Sequence, residues 1–172
     1  MLTLVGVALV ILAGLVQTSV LPVLLPPVLH LDVRPDLVVL LVVAMALAGS
    51  VREAAVWAFV GGLFLDVLAA LPLGTNALCL VLVTMLAALG ARNPFRAHLV
   101  MPLVLAFLST VFYYILLLAV RSLLGQHFSW LSALQAVALP AALFNTALMP
   151  LVYSFLLWLT NRFTPQLPEE WQ

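Results

Sequence analysis

Long apolar runs fill most of the chain, and short groups of charged or turn-forming residues separate them. Because a helix in lipid can be apolar on every face, the gaps between charges delimit helices better than helical periodicity does. About 20 apolar residues are needed to cross the hydrocarbon core of a bilayer. The pattern therefore predicts an all-α polytopic membrane protein with about six transmembrane helices. Their expected bounds are Met1 to about Leu25, Arg34 to Ala48, Ala54 to about Leu71, Thr75 to Ala91, about His98 to Val120, and a sixth within Leu131 to Phe163.

Prolines, glycines and charged residues mark the ends of these runs. The last run is too long for one straight span, and we expect Pro140 and Pro150 to divide it into a short approach helix and a kinked sixth span. The segment from Arg121 to Trp130 is expected at the membrane interface, because its aromatic side chains suit the headgroup level. The other expected breaks are Pro26 with Pro27, the tight turn Arg52 and Glu53, the turn Pro72 to Gly74, and the loop Arg92 to Arg96.

The second predicted span, which ends at Ala48, is unusually short. About 14 residues at about 1.5 Å each cover about 21 Å, which is less than the hydrocarbon core of about 30 Å. We therefore expect neighbouring helices to shield this span, or the bilayer to thin around it. Asp36 lies at its start, where the dipole of the helix favours a negative charge.

The composition excludes an ordinary water-soluble globule. Of the 172 residues, 66% are apolar and only 7% are charged, whereas soluble domains carry roughly 25% charged residues. About six spans use roughly 120 residues, so residues 1–172 are expected to form a single transmembrane domain with no soluble domain. The formal net charge of zero and the lack of basic blocks argue against a nucleic-acid partner.

The distribution of arginines predicts the orientation. Arg52, Arg92, Arg96 and Arg162 fall on the side of both termini, whereas Arg34 and Arg121 fall on the opposite side. Cytoplasmic loops are enriched in basic residues. Four arginines against two therefore place both termini in the cytoplasm.

Asp66 is the most informative residue of the third span, because an ionisable group within a span is costly to place there. Residues spaced by four lie on one face of a helix, so Ala54, Ala58, Gly62 and Asp66 form a row of small residues that ends at a carboxylate. Small residues let another helix backbone approach closely. That helix belongs either to a partner protein or to the same chain, with Asp66 then bound to a loop backbone or to water.

The remaining polar groups within spans are few. Gln17 and Asn145 can both donate and accept hydrogen bonds, so we expect them to be neighbours of Asp66. Tyr113 and Tyr114 are expected to pack or to face lipid. The sequence has no lysine, no GxSxG, HExxH or phosphate-loop motif and no pair of carboxylates at depth. We therefore expect no enzymatic activity, no cofactor and no metal site.

Several motifs between residues 34 and 78 strongly resemble the rod shape-determining protein MreD family. That family has a PDL opening and a core of the form GF-x-x-GL-x-x-D followed by PLG-x-x-AL, although here Ala58 stands where the first Gly is usual. The matching segments are Arg34-Pro35-Asp36-Leu37, Arg52-Glu53-Ala54-Ala55, Phe59-Val60-Gly61-Gly62-Leu63-Phe64-Leu65-Asp66 and Pro72-Leu73-Gly74-Thr75-Asn76-Ala77-Leu78. Gln17 and Asn145 agree more loosely.

This resemblance implies a non-enzymatic scaffold in the bacterial inner membrane that takes part in cell elongation. Proteins like this bind MreC, a bitopic protein, and help couple MreB filaments to the peptidoglycan synthases RodA and a class B penicillin-binding protein. The family also looks similar in fold to the substrate-binding (S) subunits of energy-coupling-factor transporters. The alternative is therefore a vitamin-type uptake subunit, with Asp66 and Asn145 in an outward-opening pocket.

Overall fold

The computed structural model describes residues 2–21, 35–69, 72–91 and 100–163, and these residues are almost entirely helical. The helices are α1 (Leu2–Leu15), α2 (Leu37–Ala48), α3 (Val51–Leu68), α4 (Thr75–Ala91), α5 (Val100–Leu123), α6 (Trp130–Ala133) and α7 (Leu139–Phe163). The chain of α1 continues as a π-helical segment, Val16–Val20, and a second π-helical segment, Leu134–Ala138, joins α6 to α7. If each π-helical segment is counted with the helices that it continues or joins, the described part of the chain has six helical units. This confirms the predicted all-α class.

Helix α2 lies at the centre of the bundle. All ten residues from Val38 to Leu47 are buried, and α2 contacts α1, α3, α4, α5 and α7. Its 12 residues cover about 18 Å, so it could not span the hydrocarbon core by itself. Shielding of the short second span by its neighbours is therefore confirmed.

The helices around α2 pack through small residues. Gly6 and Gly14 of α1 lie against Trp57 and Phe64 of α3, so these two helices run in the same direction. Helices α3 and α4 form the most extensive pair and run in opposite directions. The ends of the helices that hold Gln17, Asp36, Asp66, Asn76 and Asn145 meet at one end of the bundle, which we call the polar end.

Large apolar side chains cover the outside of the bundle, as expected for a surface in contact with lipid. Three helical stretches of the described residues are long and apolar enough to cross a membrane: Thr3–Val20, Val100–Leu123 and Trp130–Arg162. Helices α2 and α4 are shorter apolar helices. The chain is thus a membrane protein, and the number of complete spans stays a prediction.

The third helix begins three residues before the predicted Ala54, so the prediction of a tight turn at Arg52 and Glu53 is wrong. Both residues lie in the first turn of α3, and Ser50, in extended conformation, is the N-cap. A Ser followed three residues later by Glu is the sequence signature of a helix start, and the carboxylate of Glu53 is favoured by the positive end of the helix dipole. Helix α4, in contrast, has the predicted bounds.

The fifth helix ends later than the predicted Val120, and the interfacial position of Arg121 to Trp130 stays a prediction. Helix α5 continues through Arg121 to Leu123, and only Leu124 to Ser129 lie outside helices. A cation in the last turn of a helix is favoured by the negative end of its dipole, so Arg121 extends α5 instead of ending it.

The division of the last run at Pro140 and Pro150 is wrong, because the chain stays helical from Trp130 to Phe163 and both prolines lie within α7. The irregular part precedes Pro140, as the π-helical Leu134–Ala138. A proline ring clashes with the carbonyl of the residue four positions earlier, which here lies inside that segment. In the sequence, Pro22 follows the π-helical segment Val16–Val20 at the same spacing. Pro22 itself lies outside the described residues, as do the predicted breaks at Pro26, Pro27 and the loop Arg92 to Arg96.

Candidate functional site

The carboxylate of Asp66 holds the turn between α3 and α4. Its Oδ2 accepts a hydrogen bond from the amide of Gly74 at 2.8 Å, and its Oδ1 accepts one from the amide of Asn76, also at 2.8 Å. The side chain of Asp66 is fully buried. The first amides of a helix have no partner within the helix, so Asp66 caps the start of α4 with a charge that the dipole of α4 favours.

The turn itself is built from the predicted motif residues Pro72, Gly74 and Thr75. The carbonyl of Pro72 accepts hydrogen bonds from the amide of Thr75 at 3.2 Å and from its hydroxyl at 2.8 Å. Gly74 has a φ of 99°, a backbone conformation that other residues rarely adopt. The motif therefore brings the amides of Gly74 and Asn76 to the carboxylate of Asp66.

The row of small residues on α3 is buried within the bundle. Ala54 and Ala58 are fully buried, whereas Phe59, on another face, is 52% exposed. At Gly62 the backbones of α3 and α4 are so close that a Cβ would overlap the Cα and amide nitrogen of Ala77. The helix that approaches Gly62 is therefore α4 of the same chain, and a role of the row in complex assembly stays a prediction.

Asn76 connects this turn to α5. The hydroxyl of Tyr113 donates a hydrogen bond of 2.6 Å to Oδ1 of Asn76, and both residues are buried. One motif residue thus serves two contacts, because its amide binds Asp66 and its side chain binds Tyr113.

Gln17 and Asn145 do not contact Asp66, and that prediction is wrong. The side-chain oxygen of Asn145 accepts a hydrogen bond from the amide of Asp36 at 2.9 Å, and that of Gln17 accepts one from the amide of Val38 at 3.2 Å. Both amides belong to the start of α2, which has no cap from its own side chains. A buried helix end needs external acceptors, and α1 and α7 supply them.

Asn145 also fixes α7 against α5. Its Nδ2 donates to the hydroxyl of Thr110 at 3.0 Å, and that hydroxyl donates to the carbonyl of Ala106 at 2.7 Å. Asn145 and Thr110 are fully buried. One amide side chain therefore joins α2, α5 and α7.

Asp36 has the predicted position at the start of α2, but its carboxylate forms no cap hydrogen bond. Instead Oδ2 accepts a hydrogen bond of 2.6 Å from the hydroxyl of Tyr114. The rings of Tyr113 and Tyr114 pack edge to face, with centroids 5.5 Å apart. The two tyrosines pack as predicted, and each hydroxyl in addition binds a motif residue, which the sequence did not indicate. Pro35, just before Asp36, is buried.

The hydrogen bonds of the tyrosines were missed because their partners are distant in the sequence. Two adjacent tyrosines in the middle of an apolar run were a usable signal, because a buried hydroxyl needs a partner. Trp57 was also missed, although it is fully buried against Gly6. Its size and position on the same side of α3 as Ala54 and Ala58 indicate a core role.

These groups form a structural polar network. Asp66 and Asn145 belong to separate parts of it, one at the start of α4 and the other at the start of α2. Within the described ranges, no group of three or more His, Cys, Asp or Glu residues could hold a metal ion. The hydrogen bonds fix six helices, α1 to α5 and α7, relative to one another, and this is the chemistry that the arrangement supports.

Comparison with known proteins gives one family. No curated protein and no solved structure matches the chain, so the likeness to energy-coupling-factor S subunits stays a prediction. A family model described as rod shape-determining protein MreD matches residues 2–159. This match includes the Asp66 turn, the capped start of α2 and both tyrosines. The chain therefore belongs to the MreD family of rod shape-determining membrane proteins.

Proposed function

We propose that this chain is a non-enzymatic scaffold of the cell-elongation complex in the bacterial inner membrane. In this proposal it binds an MreC-type bitopic protein directly. Through that protein it helps couple MreB filaments to RodA and its class B penicillin-binding protein, and both of its termini lie in the cytoplasm. Family membership, which makes the chain a rod-shape-determining membrane component, is the observation that carries the proposal.

The hydrogen bonds of the buried polar side chains within the protein favour a scaffold over an uptake subunit. A transport pocket needs polar groups that are free to bind a substrate. Here both oxygens of Asp66 accept backbone hydrogen bonds, and both ends of the Asn145 amide are bound. These contacts stabilise one arrangement of helices, which a binding partner can recognise as a fixed surface.

Co-purification tests the proposal directly. The full chain and a tagged MreC-type protein are expressed together, extracted in mild detergent and captured through the tag. We expect the chain to be recovered with its partner, and rod shape to be restored in a strain depleted of its own MreD-family protein. Absence of the chain from the captured complex would contradict direct binding.

Two variants distinguish the scaffold hypothesis from the transporter hypothesis. Gly62→Leu should reduce partner recovery and rescue more than Asp66→Asn does, because a leucine forces α3 and α4 apart whereas Asn keeps the size and one acceptor. Ala147→Leu, at an exposed position of α7, is the matched control for added bulk. A transporter subunit that bound its substrate through Asp66 would show the opposite order, together with binding of a vitamin-type ligand to the isolated protein.

A further inference from the structure

Two adjoining cavities form one cleft at the polar end of the bundle. Their volumes are about 440 and 450 Å³, and pockets for small ligands measure roughly 300 to 1,000 Å³. Asp36, Tyr114 and Val137 line both cavities, so the two adjoin at these residues. The first extends to Gln17 on α1, and the second extends to Arg121 on α5.

The cleft carries one positive and one negative side chain. The Nε of Arg121 is buried and has no hydrogen-bond partner among the described residues. Asp36 uses Oδ2 to bind Tyr114, and no described residue donates to its Oδ1. A guanidinium and a carboxylate that line the same cavity fit a ligand that carries both charges.

The part of the cleft beside Arg121 is lined mainly by apolar side chains. Leu117, Leu118 and Val137 line the cavity beside Arg121, together with the ring of Phe128. That ring packs near Trp130, with centroids 5.8 Å apart, and aromatic residues of this kind mark the headgroup level of a bilayer. A cavity at that level with charged side chains at one end and an apolar wall suits a phospholipid, which has a charged headgroup and apolar acyl chains.

Both π-helical segments border the cleft. Gln17 belongs to the segment Val16–Val20, and Val137 belongs to the segment Leu134–Ala138. π-Helical turns occur often at functional sites. The two irregular parts of α1 and of the α6 to α7 unit therefore face the same cavity.

We propose that this cleft binds one zwitterionic phospholipid of the ethanolamine class. The phosphate accepts hydrogen bonds from Arg121, because a guanidinium matches phosphate geometry. The ammonium group lies beside Asp36, and an acyl chain follows Leu117 and Leu118. A glycerol headgroup lacks the ammonium, and free phosphate lacks both the ammonium and the chain, so each should bind more weakly.

Native mass spectrometry of the purified full chain tests the proposal. The protein is stripped of lipid in detergent and titrated separately with phosphatidylethanolamine, phosphatidylglycerol and inorganic phosphate. We expect one bound phosphatidylethanolamine, weaker binding of phosphatidylglycerol and no retention of phosphate. Arg121→Gln should lower the affinity by about tenfold or more, because a hydrogen bond to a charged group contributes about 1.5 to 3 kcal/mol.

Val137→Trp fills the cleft without changing a charge, and it should abolish lipid retention. Its matched control is Leu143→Trp, at a residue that is 62% exposed on the same helical unit, and the control for Arg121→Gln is Arg162→Gln at the exposed end of α7. A melting curve in the same detergent identifies variants that do not fold. If Arg121→Gln does not fold, Val137→Trp decides the question. Unchanged retention in folded Val137→Trp, or equal binding of the two lipids, would overturn the proposal.

Discussion

Gly62 of α3 lies directly against the backbone of Ala77 in α4. A Cβ at position 62 would overlap the Cα and amide nitrogen of Ala77 and would lie 2.8 Å from the carbonyl carbon of Asn76. Because backbone atoms cannot move aside as a flexible side chain can, this contact fixes the distance between the two helices. The same crossing places the amides of Gly74 and Asn76 at the carboxylate of Asp66.

Gly62→Leu should lower the melting temperature of the purified protein markedly. Overpacking of a well-packed core typically costs about 1 to 3 kcal/mol, and here the obstacle is backbone. The measurement is thermal unfolding in detergent. Ala147→Leu adds the same side chain on the exposed outside of α7 and should leave the melting temperature unchanged. Equal melting temperatures for the two variants would mean that α3 and α4 can separate at no cost.

Asp66→Asn should also destabilise the fold, by about 1 to 3 kcal/mol. The two oxygens of Asp66 each accept a hydrogen bond from a backbone amide. Asparagine replaces one oxygen with an NH₂ group, which cannot accept, so one amide of the α4 start loses its partner. Hydrogen exchange of the Gly74 and Asn76 amides reports the loss directly. Protection equal to that of the unmodified protein would exclude the capping role of Asp66.

A double-mutant cycle measures the contact between α2 and α5. Tyr114→Phe and Asp36→Asn each alter the 2.6 Å hydrogen bond between these residues. The coupling free energy of unfolding should be about 0.6 to 1.7 kcal/mol, which are the average and the maximum measured for hydrogen bonds between helices in membranes. The matched cycle of Tyr113→Phe with Asp36→Asn should show weaker coupling, because Tyr113 donates to Asn76 instead. Additive effects in the first cycle would contradict the hydrogen bond.

Cysteine labelling tests the predicted orientation. In a Cys79→Ser background, a cysteine at the exposed Gln126 should react with an impermeant reagent added from outside the inner membrane. A cysteine at Arg162, in the last turn of α7, should react only from the cytoplasm. Labelling in the reverse pattern would invert the orientation, and labelling of both positions from one side would change the number of spans.

The sequence was most informative where local chemistry determines the structure. The turn signal Pro72 to Gly74 and the charges that follow Ala91 delimit α4 correctly. The row of small residues correctly indicated a close helix crossing at Gly62. The start of α3 was missed because the pair Arg52 and Glu53 was interpreted as a turn, whereas a single helical turn tolerates both charges at its solvent-facing end.

The partners of the polar side chains could not be predicted in the same way. Asn145 binds the amide of Asp36 across 109 positions of sequence, and no periodicity encodes which helices become neighbours. The predicted partners of Asp66 are amide side chains. Its actual partners are the backbone amides of Gly74 and Asn76, which follow it by eight and ten residues. Asp66 and Asn145 are fully buried, as their positions within predicted spans indicate, whereas Gln17 is half-buried. The pairing among them depends on the packing order of the helices.

The caps on α2 have a consequence for how the protein is made. One cap, Gln17, precedes α2 in the chain, but the other, Asn145, follows it by more than half of the sequence. A ribosome therefore releases α2 into the membrane long before its second cap exists. Until α7 is inserted, this short helix lacks the partner of one amide at its start and one of the helices that cover its apolar surface. Formation of the centre of the bundle thus waits for α7 to be translated, and nascent chains stalled before Asn145 should be degraded rapidly by membrane proteases.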